Sequence, residues 1–116
     1  MFPKNQRITD KKDFDLIFKK GRKAYSPFFG VRTIPNNLDI QRFAVLVSKK
    51  VSKKAVKRNR IKRVIREAIK TNASLFPENT DTVLYVTPKA LNITLDTAQK
   101  EVLKIAKSLE NKVFNS

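Results

Sequence analysis

Between Lys49 and Lys70 the chain reads KKVSKKAVKRNRIKRVIREAIK, with eleven Lys or Arg residues and a single acid, Glu67. Self-repulsion would keep such a run unfolded if its apolar residues were scattered. They are not scattered. At about 100° per residue, Ile61, Val64, Ile65, Ala68 and Ile69 fall within about 140° of arc, the apolar face of a helix that must pack on something. Lys62, Arg63, Arg66, Lys70 and Arg60 take the other side, with Asn59 near its middle. Lys54, Lys57 and Arg58 project on or beside the apolar stripe's own azimuth one to two turns earlier, where burying a cation is strongly unfavourable. The first turns must therefore overhang the core, cationic around nearly their whole circumference. Ser52 is the expected N-cap, and the helix is expected to run to about Asn72, before SLFPEN.

Solvated helix faces usually mix signs, because Glu–Lys pairs four residues apart relieve repulsion. Here only Glu67 offers relief, while Arg58, Arg60, Arg63 and Arg66 present planar forks suited to phosphate. A net charge of +16 on 116 residues points the same way, to a polyanionic partner. The chain is 41% apolar, enough for a folded body, and its length suits one domain spanning 1–116. No apolar run approaches the roughly 18 residues that span a bilayer, so no membrane partner is expected. MFPKNQRITDKKDF lacks the apolar core of a signal peptide and the chain has no Cys, which suggests a cytoplasmic location. Without His or Cys the common zinc ligand sets are missing. The ten acids show no spacing suited to a metal-bound nuclease, Asp13 and Asp15 facing opposite sides of a helix. The residues read as a nucleic-acid binder, with no spacing that marks a metal site or a catalytic group. No helix-turn-helix spacing or zinc finger is visible, and a mixed α/β body suits RNA better than DNA.

Around this segment, a helix is expected over Asp10–Lys20, capped by Thr9 or Asp10, with Asp10, Asp13 and Asp15 at its positive end and Lys19 and Lys20 at the other. Gly21 is expected to stop it in a left-handed conformation. Phe14, Ile17 and Phe18 share one apolar face. FFGVRTI (Phe28–Ile34) and RFAVLVS (Arg42–Ser48), the latter interior, read as an antiparallel hairpin joined by PNNLDIQ. TVLYVT (Thr82–Thr87) is a third strand. A last helix starts near Thr94, with Leu95, Ala98, Val102, Ile105, Ala106, Leu109 and Val113 on one stripe and Lys100, Lys104 and Lys107 off it.

KRNRIKRVIREA (Lys57–Ala68), following a strand that ends VSKK, resembles the Arg-Asn-Arg signature of the bacterial ribonuclease P protein subunit. FPKNQRITDKKDF, the Phe-x-x-x-Phe helix in FDLIFKKG, and TVLYVTPKA carry the resemblance over nearly the whole chain. It implies an α+β fold, an α/β sandwich of the ribosomal protein S5 domain 2-like kind. That fold has a mixed sheet of about four strands with three helices, in the order α-β-β-(β)-α-β-α. It also implies a left-handed crossover for the unit 42–48, 52–72 and 82–87, against the right-handed rule obeyed by about 98% of such units.

The resemblance further implies the non-catalytic protein component of an endoribonuclease. Its RNA subunit cuts precursor tRNA to leave the mature 5′ end, using Mg²⁺ in the RNA-based holoenzyme, and no cofactor is assigned to the protein itself. One monomer would pair with one RNA. Carried over by position, Lys49, Lys50, Lys53, Lys54, Arg58, Asn59, Arg60 and Arg63 would face ribonuclease P RNA. Phe14, Phe18, Arg32, Lys62, Arg66 and Lys89 would form or flank a cleft for the 5′ leader of precursor tRNA. Two positions depart from the family pattern: Ser52-Lys53 stand where many members have Gly-Asn, and Arg32 where many have an aromatic, although a guanidinium also stacks. The alternatives are a ribosomal-protein-like binder of rRNA and a protein-only nuclease.

Overall fold

The structure is a computed structural model and describes residues 4–112. Helix α1 (Lys11–Lys20) starts where Asp10 Oδ1 accepts a hydrogen bond from the Lys12 N–H at 3.0 Å. Gly21 ends it, but in an extended conformation (φ −67°, ψ 149°) rather than the expected left-handed one. Its N–H donates to Ile17 O at 2.7 Å. The need for glycine is spatial, since a Cβ at this position would stand 2.4 Å from Ile17 O.

Four strands follow, β1 (Arg22–Tyr25), β2 (Phe29–Pro35), β3 (Arg42–Leu46) and β4 (Thr80–Val86), in the sheet order β1-β2-β4-β3. The expected hairpin between β2 and β3 does not form, because β4 lies between them, antiparallel to β2 and parallel to β3. Every residue of β4 except Tyr85 is buried, so its apolar character on both faces is satisfied only at the centre of the sheet. Strand β3 is correspondingly an edge strand and not an interior one. Its outer side is met by the preceding chain: Arg7 bridges Phe43 in parallel, and the Ile8 N–H donates to Phe43 O at 3.1 Å. That contact covers an edge which would otherwise be open to pairing with another chain. The hairpin partner of β2 is instead β1, a short and mostly exposed strand.

Helix α2 (Ala55–Thr71) connects β3 to β4, and α3 (Leu95–Lys112) closes the fold. The result is a four-stranded mixed sheet with three helices, an α+β architecture. Phe29, Val31, Leu84 and Val86 face α2 and α3, where they meet Ile61, Ile65, Ala68, Ile69, Ala98, Val102, Ile105, Ala106 and Leu109 in the main core. Val64 packs half-buried against it. Leu95, on the same stripe, is exposed in the first turn of α3, and Val113 lies outside the described residues. On the other face Ile8, Ile17 and Val83 form a smaller cluster with Phe14, Ile34 and Ala44. Helix α1 therefore covers only half of that face. No helix among the described residues is long and apolar enough to cross a membrane.

Candidate nucleic-acid interface

The first turns of α2 do overhang. Ala55, Val56, Lys57 and Asn59 are exposed, Val56 to 81%. The N-cap is Lys54, not Ser52, and it makes no side-chain cap. Ser48 Oγ and Ser52 Oγ instead accept from the N–H groups of Lys50 and Lys54, each at 3.2 Å, shaping two successive turns. Val51, buried, ties that loop to the core. An uncapped helix start with no acid in its first turn keeps its partial positive charge uncompensated. Lys49, Lys50, Lys53 and Lys54 are all exposed around it.

The arginines divide into two kinds. Arg58 donates from Nη1 to Ser52 O at 3.0 Å, and Arg60 from Nη2 to Ile93 O at 2.8 Å. Both are half-buried, each fixing a neighbouring loop to α2 while the rest of its fork stays available. Arg63 is exposed. Lys89 is exposed on the turn Pro88–Ala90 that follows β4, near residue 93 and hence at the same end of the sheet as the start of α2. Among the described residues no carboxylate forms an ion pair with a Lys or Arg of α2. Helix α3, by contrast, pairs Lys100 with Asp96 at 3.1 Å and Lys104 with Glu101 at 3.3 Å.

The second region is the half of the sheet that α1 leaves open. Phe14 is half-buried in the smaller cluster, whereas Phe18, one turn on, keeps 36% of its surface exposed. The Arg32 guanidinium lies 5.5 Å from the centre of the Phe18 ring and donates to Phe18 O. Arg32 therefore stacks on an aromatic of its own chain and holds the end of α1, with its Nε buried and without a hydrogen-bond partner. Arg66 borders a cavity of about 250 Å³ with Phe14, Ala44 and Leu46, which brings α2 and α1 to one cleft. Lys62, one turn earlier on the same side of α2, is half-buried. Tyr85 was missed in the sequence. It is 5.8 Å from the Phe18 ring centre, tilted at 49°, and it reads in TVLYVT as one more residue of a core strand. Only its register on an uncovered face sets it apart.

At the opposite end of α1, Arg42 gathers the acids. Its Nε and Nη2 donate to the two Asp81 oxygens at 2.8 and 2.6 Å, and Nη2 also reaches Asp13 at 3.2 Å. Asn36 adds a bond to Asp81 at 2.7 Å. Asp81's hydrogen bonds hold the Arg42 guanidinium above its already high range. These carboxylates are thus taken up in pinning α1 to the sheet. Among the described residues no group of three or more Asp, Glu, His or Cys could hold a metal ion.

Residues 2–110 match the family model described as Ribonuclease P. The ribonuclease P protein component of Petrotoga mobilis is 35% identical over 114 residues, covering 94% of this chain and 95% of that protein. The corresponding protein of Thermotoga maritima is 30% identical over 113 residues, covering 94% and 96%. Among solved structures, the Staphylococcus aureus RNase P protein superposes with a TM-score of 0.77 at 38% identity, covering 88% of this chain and 95% of that one. The Thermotoga maritima RNase P protein superposes at 0.79 with 29% identity, covering 88% and 96%. With signature, fold and family model in agreement along almost the whole chain, it belongs to the ribonuclease P protein component family.

Proposed function

We propose that this chain is the protein subunit of ribonuclease P, holding the catalytic RNA on the first turns of α2 and the 5′ leader of precursor tRNA on the half-covered face of the sheet. The observation that carries the reading is the unpaired charge of α2, on a body whose other long helix pairs Lys100 and Lys104 with acids of its own. Phosphates take the place of the missing carboxylates. Arg58, Asn59, Arg60 and Arg63, with Lys49, Lys50, Lys53 and Lys54, form the face toward the RNA subunit. Each phosphate contact releases counterions from the RNA, so the protein does part of the work that free cations do otherwise.

The cleft takes a single strand. Phe18 offers a base the part of its ring that Arg32 and Tyr85 leave exposed, and Phe14 supports it from the smaller core. Arg66 and Lys62 on the α2 side and Lys89 at the end of β4 meet the strand's phosphates. Arg32 keeps Phe18 in place and presents its remaining donors beside it. Phosphodiester cleavage is assigned to the RNA subunit, which would also hold the Mg²⁺. The protein binds, orients and discriminates precursor from mature tRNA, one copy to each RNA.

Reconstitution of the full chain with a ribonuclease P RNA at low Mg²⁺ tests this directly. Cleavage of precursor tRNA at the mature 5′ end should rise well above that of RNA alone. No stimulation would refute the assignment, and cleavage by protein alone would replace it with a protein-only nuclease. Equal affinity of the complex for precursor and mature tRNA would leave a general RNA binder of the ribosomal-protein kind.

A further inference from the structure

Strand register places Tyr25, Gly30, Tyr85 and Leu46 in one row across all four strands, on the face that α1 half covers. The neighbouring row holds Lys23, Arg32, Val83 and Ala44, of which Val83 and Ala44 already pack in the cluster beneath α1. Beyond that cluster the row is open. Tyr25 is 66% exposed, Leu46 37%, and Tyr85 is the one residue of β4 that is not buried.

Gly30 decides how Tyr85 lies. A Cβ on Gly30 would stand 2.3 Å from Tyr85 Cε2 and Cζ, and 2.5 Å from its hydroxyl oxygen. The outer end of the ring therefore rests on the backbone of β2. Side chains on a strand ordinarily stand away from the sheet, but this one is laid across it. The ring thus fills the space above Gly30, and the part of Tyr85 that is not buried is left toward the cleft. Phe18 flanks the ring without covering it, at 5.8 Å and 49°. A half-buried aromatic on a central strand, bordered by Phe18 and Leu46 and next to the cations Lys23 and Arg32, has the makeup of a site for single-stranded RNA. A base can lie on the ring while the phosphates meet the cations. A base-paired strand has its ring faces already stacked and cannot use such a floor.

We propose that Tyr85, held flat by Gly30, is a base-stacking residue that adds a nucleotide position to the leader cleft beyond Phe18, the strand continuing along the row toward Tyr25. This rests on the reading of the cleft as the leader site. It also makes Gly30 a positioning residue, since any side chain there lifts the ring.

The test uses the full chain reconstituted with ribonuclease P RNA and non-cleavable precursor tRNAs carrying 2-aminopurine at single leader positions. Wild-type protein should quench one of these positions. Tyr85→Phe should keep the quench and Tyr85→Val abolish it at that position alone. Tyr85→Val should also weaken precursor tRNA binding by about 5- to 100-fold, the loss of one base–aromatic stack, with mature tRNA unaffected. Gly30→Val should reproduce Tyr85→Val; if Gly30→Val fails to fold, the two Tyr85 variants still decide. Quenching that survives Tyr85→Val, or equal weakening of precursor and mature tRNA, overturns the proposal while leaving the leader site in place. A wild-type complex that binds precursor and mature tRNA equally overturns the leader site and Tyr85's role with it.

Discussion

Arg63 allows charge and structure to be separated. It is exposed and has no hydrogen bond or ion pair within the described residues, whereas Arg60 is bonded to Ile93 O at 2.8 Å. Replacing Arg63 by Ala should thus remove a phosphate contact and little else. One lost contact flattens the plot of log affinity against log salt by about 0.7–0.9. Between about 50 and about 200 mM salt, the wild-type advantage over Arg63→Ala should then shrink about 3-fold. The variant's stability should stay within about 0.5 kcal/mol of wild type. Arg60→Ala should flatten the slope similarly but also lose a charge-assisted bond to the segment before α3, costing about 1 kcal/mol at a half-buried site. The assays are titrations of ribonuclease P RNA at several salt concentrations with Mg²⁺ fixed, beside urea unfolding of the free protein. An unchanged slope for Arg63→Ala would refute the RNA-facing role of this side of α2. An unchanged urea midpoint for Arg60→Ala would refute the division between free and anchored arginines.

Arg42→Met should leave the buried Asp81 with Asn36 as its remaining side-chain partner and destabilise the fold by about 3–5 kcal/mol, whereas Asp13→Asn, at a partly exposed contact, should cost less than about 1 kcal/mol. Equal urea midpoints for the two variants would contradict the clamp. Phe18→Ala should lower affinity for precursor tRNA by about 5- to 100-fold and spare mature tRNA; parallel losses would return Phe18 to a packing role. Gly21→Ala, which puts a Cβ 2.4 Å from Ile17 O, should destabilise by about 1–3 kcal/mol, and an unshifted thermal midpoint would show that the end of α1 can give way.

Periodicity made α2 and α3 legible because each has a single apolar stripe facing one large core. Even the overhang of α2 followed from where Lys54 and Lys57 fall on the wheel. The sheet was less legible. FFGVRTI and RFAVLVS look like partners because consecutive strands usually pair, yet β4, supplied from some forty residues later, enters between them. Its placement depends on burial of both its faces, which no local pattern in β2 or β3 records. RFAVLVS looked interior because it is rich in β-branched and apolar residues, but at the edge it is the chain around Arg7 and Ile8 that meets it. RKAY is too short and polar to announce a strand. At the site, Lys and Arg were readable as charge, but which of them are tied to backbone was not. Arg32 could be aligned to an aromatic position, but its own stacking on Phe18 depends on the distance between α1 and β2.

Helix α1 is fastened to the sheet by two guanidinium groups, Arg42 at Asp13 and Arg32 at Phe18, and buries only Ile17 fully. The cluster beneath it lies on the other side of the sheet from the main core. The molecule is therefore built as two layers of unequal strength that share one sheet. Lifting α1 breaks the weaker layer and leaves the α2–α3 layer whole, so the width of the cleft can fluctuate without global unfolding. Amide protons of α1 should exchange with solvent through such partial openings, long before those of β4 and α2. An arriving phosphate would meet Arg32 as a competitor of the Phe18 carbonyl, making one of the two fastenings sensitive to the strand that the cleft receives.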